Sequence, residues 1–412
     1  MTNRSALAAA ARPLTRDGLR DFLDTLPRPP RLLGLGEPTH GPQTVPRLRN
    51  EILRYLVEDA GFRSIAIESD CLAGLLVADY VRDARANARA GRADGESGDL
   101  DDVLARGISH GWGAYAANRE LVEWLRDCDE DVRFYGFDAP TENMYARSPR
   151  GPLLYAYDYL AEVDPDLLPA DRAEIDGLCG DDARWEDPAA AMEPALGVGS
   201  KPEAARLRVL ADDLRAGLLL AAPSLIAATS ADDWWRAELH VRMAARLLQY
   251  HAALAHDWPG RVNRLMALRD AIMAENLLSI VEREARRGPT LVFAANAHLQ
   301  RQISRWELAG PKLAWWSAGA IAATRLGDAY AFIATGLGTV PDREIGTPDP
   351  NTVEGQLTAL GSDRLLLTGS ALAASLADLA PRTGIPATAG YFPLDPAHLA
   401  EADGVAFLRE AR

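Results

Sequence analysis

Two short apolar runs flanking one amphipathic helix constrain this chain more than any other feature. Residues 31–36, which run into LLGLGEPTHG (32–41), read as a buried strand. The segment TVPRLRNEILRYLVEDA (44–60) then places Val45, Leu48, Ile52, Leu53, Leu56 and Val57 on one helical face, and Gly61 closes it. SIAIE follows as a second strand ending at Glu68. A strand, a helix and a strand within about 40 residues form a βαβ unit, which requires a parallel sheet.

The pattern continues downstream. LTRDGLRDFLDTL (14–26) is helical in spacing and is stopped by PRPPR. Helices are expected at 71–86 and 115–127, with the polar, Gly-rich stretch 87–99 as a loop between them. VRFYGFD reads as a third strand ending at Asp138. Residues 141–262 show no strand pattern; helical stretches lie near 153–162, 203–221 and 234–256, with a Gly-, Asp- and Pro-rich loop near 177–202. A long helix at 264–288 leads into PTLVFAANAH, a fourth strand ending in Asn296 and His298. Strand-like runs recur at 328–335 and 363–368. The expected fold class is α/β: a mainly parallel central sheet flanked by helices, with a helical insertion. Residues 1–140 and 263–412 would form the two parts of the core, and 141–262 the insertion.

Composition narrows the function. The 412 residues carry a net charge of −15, which offers no basic stripe to phosphates and argues against nucleic-acid binding. Cys71, Cys128 and Cys179 are far apart and odd in number, so no disulfide framework or thiolate zinc site is implied. The N-terminal segment lacks a leucine-rich core and reads as a cytoplasmic start. No apolar run reaches the roughly 18–20 residues of a membrane span. Nothing in the sequence sets the oligomeric state.

Chemistry concentrates at the strand ends. The first strand delivers Glu37 and His40, the second Glu68, the third Asp138, the fourth Asn296 and His298. In open parallel sheets, ligands bind beyond the carboxyl ends of the strands. Each residue has a structural reading too: Glu37 and Glu68 as caps, His40 on the surface, Asp138 as a turn residue, His298 bonded to backbone. Four strands ending this way favour the joint, functional reading. Arg49 is placed either to reach back to the carboxylates near the strand end or simply to coat the surface. His110, between Ser109 and Gly111, and the nearby Trp112 and Tyr115 read as a loop lining a pocket. His240, His251, His256 and His398 read as structural or surface groups. Arg269 and Asp270 read as an ordinary exposed ion pair.

The ordered set Gly36-Glu37-x-x-His40, Arg49, GFRSIAIE ending at Glu68, YGFD ending at Asp138, and MAEN followed by Asn296-Ala297-His298 resembles the erythromycin esterase family. The resemblance runs from about residue 30 to 335, and SAGAIAATRLGDAYAFIATGLG is similar to a later part of the family. It implies a hydrolase that opens macrolide lactones, in a family with many members of unassigned substrate. By resemblance, His40 is the general base, Glu37 and Glu68 orient it and stabilise its charge, Arg49 lies beside them, and His298 completes the site. A neutral imidazole held by a carboxylate keeps one tautomer and takes a proton from water. No G-x-S-x-G elbow is present, which disfavours a serine triad. One departure stands out: the family's H-N-A-H reads Ala295-Asn296-Ala297-His298 here.

The leading expectation is an esterase-like hydrolase of a bulky, largely apolar ester or lactone, without cofactor. Trp112, Tyr115, Trp234, Trp235, Trp315 and Trp316 are candidates for the pocket wall, with His110, Asp138 and Asn296 as further substrate contacts. The first alternative is a natural-product tailoring enzyme catalysing cyclisation, rearrangement or acyl transfer. The second is a binding protein, including one that holds a divalent ion on Glu37, His40, Glu68 and His298.

Overall fold

The computed structural model describes residues 3–89, 99–142, 145–307 and 312–412. An eight-stranded sheet organises the larger unit. Its strands are β1 (Arg12–Pro13), β2 (Leu32–Glu37), β3 (Ser64–Asp70), β4 (Arg133–Asp138), β5 (Thr290–Ala295), β6 (Tyr330–Thr339), β7 (Arg364–Thr368) and β8 (Gly404–Glu410). They lie in the order β1-β7-β8-β6-β2-β5-β3-β4. The pairs β8–β6, β6–β2, β2–β5 and β5–β3 are parallel, while β7 runs antiparallel to β8 and β1 to β7. The mixed sheet with many parallel strands and flanking helices is the fold class the sequence implies.

Every residue of β2, β3 and β5 is buried, as expected for strands covered on both faces. The helix Thr44–Asp59 buries Val45, Leu48, Ile52, Leu53, Leu56 and Val57, and Gly61 follows it at φ 72°. Leu33, Leu35, Ile65, Ile67, Phe134, Leu291 and Phe293 join that face in one core.

Some local expectations need correction. The run 328–335 belongs to a longer strand, β6. The strand β8 carries no polar alternation and the sequence reading passed over it. Two small hairpins were also missed: Thr141–Glu142 with Tyr145–Ala146, and Ile303–Glu307 with Lys312–Trp316. The first is too short for any periodicity to register, and it places a strand pair inside a stretch read as all-helical. Of the loop at 87–99, residues 87–89 extend the helix Gly74–Arg89, and 90–98 lie outside the described residues.

The chain divides into two compact units, the second comprising Asp70–Leu72 and Asp138–Ile272. Within it, the helices Arg150–Val163, Pro202–Leu220 and Ala231–Leu254 bury Leu153, Leu160, Leu207, Leu214, Val241 and Leu248. Ser230 caps the last of them through the Asp233 amide. His251 meets the Arg147 carbonyl at 2.8 Å through Nε2. His240 stacks on Tyr155 with centroids 3.7 Å apart. Burial pushes both imidazoles down to about 4.

That depression has a stability consequence. The unfolded chain takes up protons on these histidines near pH 6.5, the native chain only near 4, so stability falls as pH drops through that window. The thermal unfolding midpoint should therefore fall from pH 7 to pH 5. A His251→Gln variant, which keeps a donor for the Arg147 carbonyl but does not titrate, should show a shallower slope. An unchanged slope would reject His251 as a contributor. Among the described residues no helix is long and apolar enough to cross a membrane.

Candidate active site

The turn after β2 aims a carboxylate and an imidazole at each other. Glu37 ends the strand, and His40 returns its Nδ1 to within 3.0 Å of Glu37 Oε2. Glu37 is buried, whereas the His40 side chain keeps 35% of its exposure. On the far side of the ring, His40 Nε2 lies 4.0 Å from Glu68 Oε1, beyond direct hydrogen bonding. The same Glu68 oxygen is 3.4 Å from His298 Nε2. The other, Oε2, accepts the backbone N–H of Ala295 at 2.8 Å. Glu68 is thus anchored by main chain on one oxygen and faces two imidazoles with the other.

Ala295 stands where the resemblance implied a histidine. The Ala295 amide fixes Glu68, and its methyl is buried. His110 packs at a tilt of 51° against Trp112, centroids 4.8 Å apart, and Trp112 in turn lies 4.5 Å from the His40 ring. His110 adopts φ 61° and Gly111 φ 72°, a turn that turns the aromatic loop toward His40.

A small pocket opens onto these groups. It is lined by Glu37, His40, Arg49, Glu68, Trp112, Tyr115, Asn118 and Phe293, among others. Arg49 is almost wholly buried and stacks on Phe293 at 5.0 Å. Its hydrogen bonds go to neutral oxygens: Asn50 Oδ1 at 2.8 Å, Asn118 Oδ1 at 3.0 Å and the Ala117 carbonyl at 3.4 Å. Arg49 thus does not coat the surface, and it reaches the carboxylates through charge. Burial pushes its guanidinium down to about 10, and the charge of Glu37 opposes that shift. Tyr115 is shifted upward, first by burial and then by Glu37, against the pull of Arg343.

Two expected substrate contacts are occupied elsewhere. Asn296 donates to the Thr335 carbonyl at 2.8 Å and accepts from the Thr335 amide at 3.1 Å, so both ends of its side-chain amide tie it to β6. A Cβ at Gly36 would meet Asn296 Oδ1 at 1.9 Å, so the glycine of the Gly-Glu-x-x-His turn is there to let this tie cross β2. Asp138, in the second unit, is fully buried and pairs with Arg269 at 2.6 Å. That also corrects the reading of Arg269 as an exposed partner of Asp270, which is itself buried. Of the other aromatic candidates, Trp234 bonds the Leu218 carbonyl within the helical unit, Trp315 is buried in a hairpin and Trp316 is exposed.

Asn50 and Asn118 were not anticipated, though a signal existed. Asn118 falls on the buried face of the helix Ala116–Asp127, beside Ala117 and three residues before Leu121. A polar group on a core face must find partners. Asn118 finds Arg49 on one side and the Trp112 carbonyl, at 2.9 Å, on the other. Among the described residues, no group of three or more His, Cys, Asp or Glu is arranged to hold a metal ion.

The family model for erythromycin esterase matches residues 57–410. The chain belongs to the erythromycin esterase family. The matched span contains Glu68 and His298, while Glu37 and His40 precede it. Solved structures share the family fold. A Bacillus cereus protein aligns with TM-score 0.70 at 18% identity, covering 99% of this chain and 97% of that one. A mutant of erythromycin esterase EreC in its open conformation aligns at TM-score 0.68 and 18% identity, with 98% of each chain covered. A succinoglycan biosynthesis protein aligns at TM-score 0.61 and 18% identity, covering 99% and 96%. At that identity the likeness extends to the fold of this erythromycin esterase family member and not to its substrate.

Proposed function

We propose that this member of the erythromycin esterase family hydrolyses an ester or lactone, with His40 as general base. The observation that carries the reading is the His40 ring itself: Nδ1 sits on buried Glu37, and Nε2 faces Glu68 in a pocket. Glu37 would fix the tautomer with the proton on Nδ1, leaving Nε2 to accept a proton from water. The resulting hydroxide adds to the carbonyl carbon. The tetrahedral intermediate then collapses with cleavage of the C–O bond, and the imidazolium returns its proton to the departing alkoxide. The carboxylates on both sides of the ring stabilise the imidazolium between these steps. Trp112 and Tyr115 suit a bulky, largely apolar substrate.

The test is turnover of ester and lactone panels by the purified protein in isotopically labelled water. Hydrolysis places one solvent oxygen in the acid product. Turnover without incorporation would replace this reading with a cyclisation, rearrangement or acyl transfer, and tight ligand binding without any turnover would replace it with a binding role.

A further inference from the structure

The site rim carries a cation that the hydrolytic chemistry does not use. After β6, the chain makes a tight turn at Pro341–Arg343, closed by paired backbone bonds between Val340 and Ile345 at 2.9 and 3.1 Å. Glu344 in this turn holds φ 57°, a conformation that costs energy for a residue with a side chain. The turn delivers the Arg343 guanidinium onto Gly41, the residue after His40. A Cβ there would lie 2.2 Å from Arg343 Nη2, and Gly41 itself has φ 113°. Arg343 is also near enough to Tyr115 to pull its hydroxyl's titration downward.

In this acidic chain, surface arginines such as Arg47, Arg364 and Arg409 pair with carboxylates. Arg343 forms no ion pair among the described residues, and its hydrogen bond is a long 3.4 Å contact to the Ala389 carbonyl. A guanidinium beside the His40 turn, with the pocket-lining Tyr115 hydroxyl within reach of its charge, suits a carboxylate.

We propose that Arg343 and Tyr115 bind a carboxylate carried by the substrate, so that the preferred substrate is an ester that is anionic away from its reacting carbonyl. This rests on the hydrolase reading, which it deepens. Arg343 is then a specificity residue: it recognises a part of the substrate that does not react.

Two aryl esters test it, p-nitrophenyl butyrate and p-nitrophenyl hemiglutarate, which share a reacting carbonyl and differ in a terminal carboxylate. The expected kcat/KM ratio favours the hemiglutarate by about tenfold at low salt and declines with added salt. Arg343→Gln should collapse the ratio, and Arg325→Gln, on the exposed end of another helix, should preserve it. An arginine that merely braced the turn would change both esters alike. A binding arm, calorimetric titration with glutarate, needs no turnover. Hydrolysis of both esters with a ratio near one in wild type and variant would overturn the proposal and leave the hydrolase reading standing. Arg343-dependent glutarate binding without hydrolysis of either ester would support the anion site and sink the hydrolase reading. Absence of both binding and turnover would overturn both.

Discussion

Replacing His40 by alanine should lower kcat/KM for any ester the protein turns over by roughly 10²–10⁴-fold, with little loss of folding stability. The asymmetry follows from where the ring sits. His40 is the most exposed member of the cluster, and its removal opens no core cavity, whereas Glu37, Glu68 and His298 are buried around it. Its loss removes the acceptor for the water proton and the imidazolium that returns it. Trp112, tilted against the ring with centroids 4.5 Å apart, supplies a second readout: its emission should differ between variant and wild type while the melting curve does not. Full activity in His40→Ala, with a normal melting curve, would rule out the base assignment.

Gly36→Ala should destabilise the protein by about 3 kcal/mol. The added methyl would lie 1.9 Å from Asn296 Oδ1. β2 is a central strand and cannot shift away, so Asn296 must leave the Thr335 backbone and expose buried donors and acceptors without partners. Denaturant unfolding measures the loss. Because clash and lost bonds share one side chain, Gly36→Ala with Asn296→Ala should cost less than the sum of the two single changes. Additive losses, or a Gly36→Ala midpoint equal to wild type, would refute this role for the turn glycine.

The sequence disclosed most where periodicity and burial coincide. β2 and β3 are readable because each is buried along its whole length, and the Thr44–Asp59 helix because its buried residues recur at helical spacing. The convergence of Glu37, His40, Glu68 and His298 was readable because strand ends of a parallel sheet share one edge. Asn296 shows the limit of that logic. It also lies at a strand end, yet it serves a neighbouring strand, and only the path across Gly36 distinguishes the two roles. Arg343 was invisible for another reason: it is brought to the site by a turn 300 residues downstream of His40, and no local pattern marks such a long-range approach. The helix-face asparagines fall between these cases, legible as buried polar groups but not as supports for Arg49 and Trp112.

The sheet order has a consequence for biosynthesis. β8, from the last residues of the sequence, is an interior strand between β6 and β7. A ribosome-bound chain that has already made β6 exposes an unpaired, mostly apolar edge until β8 emerges and fills the gap. Translation therefore passes through a stage in which the β6-β2-β5-β3-β4 part of the sheet exists with an adhesive flank. Slow elongation over residues 340–403, or premature termination before Gly404, would leave that flank available to neighbouring chains and favour aggregation.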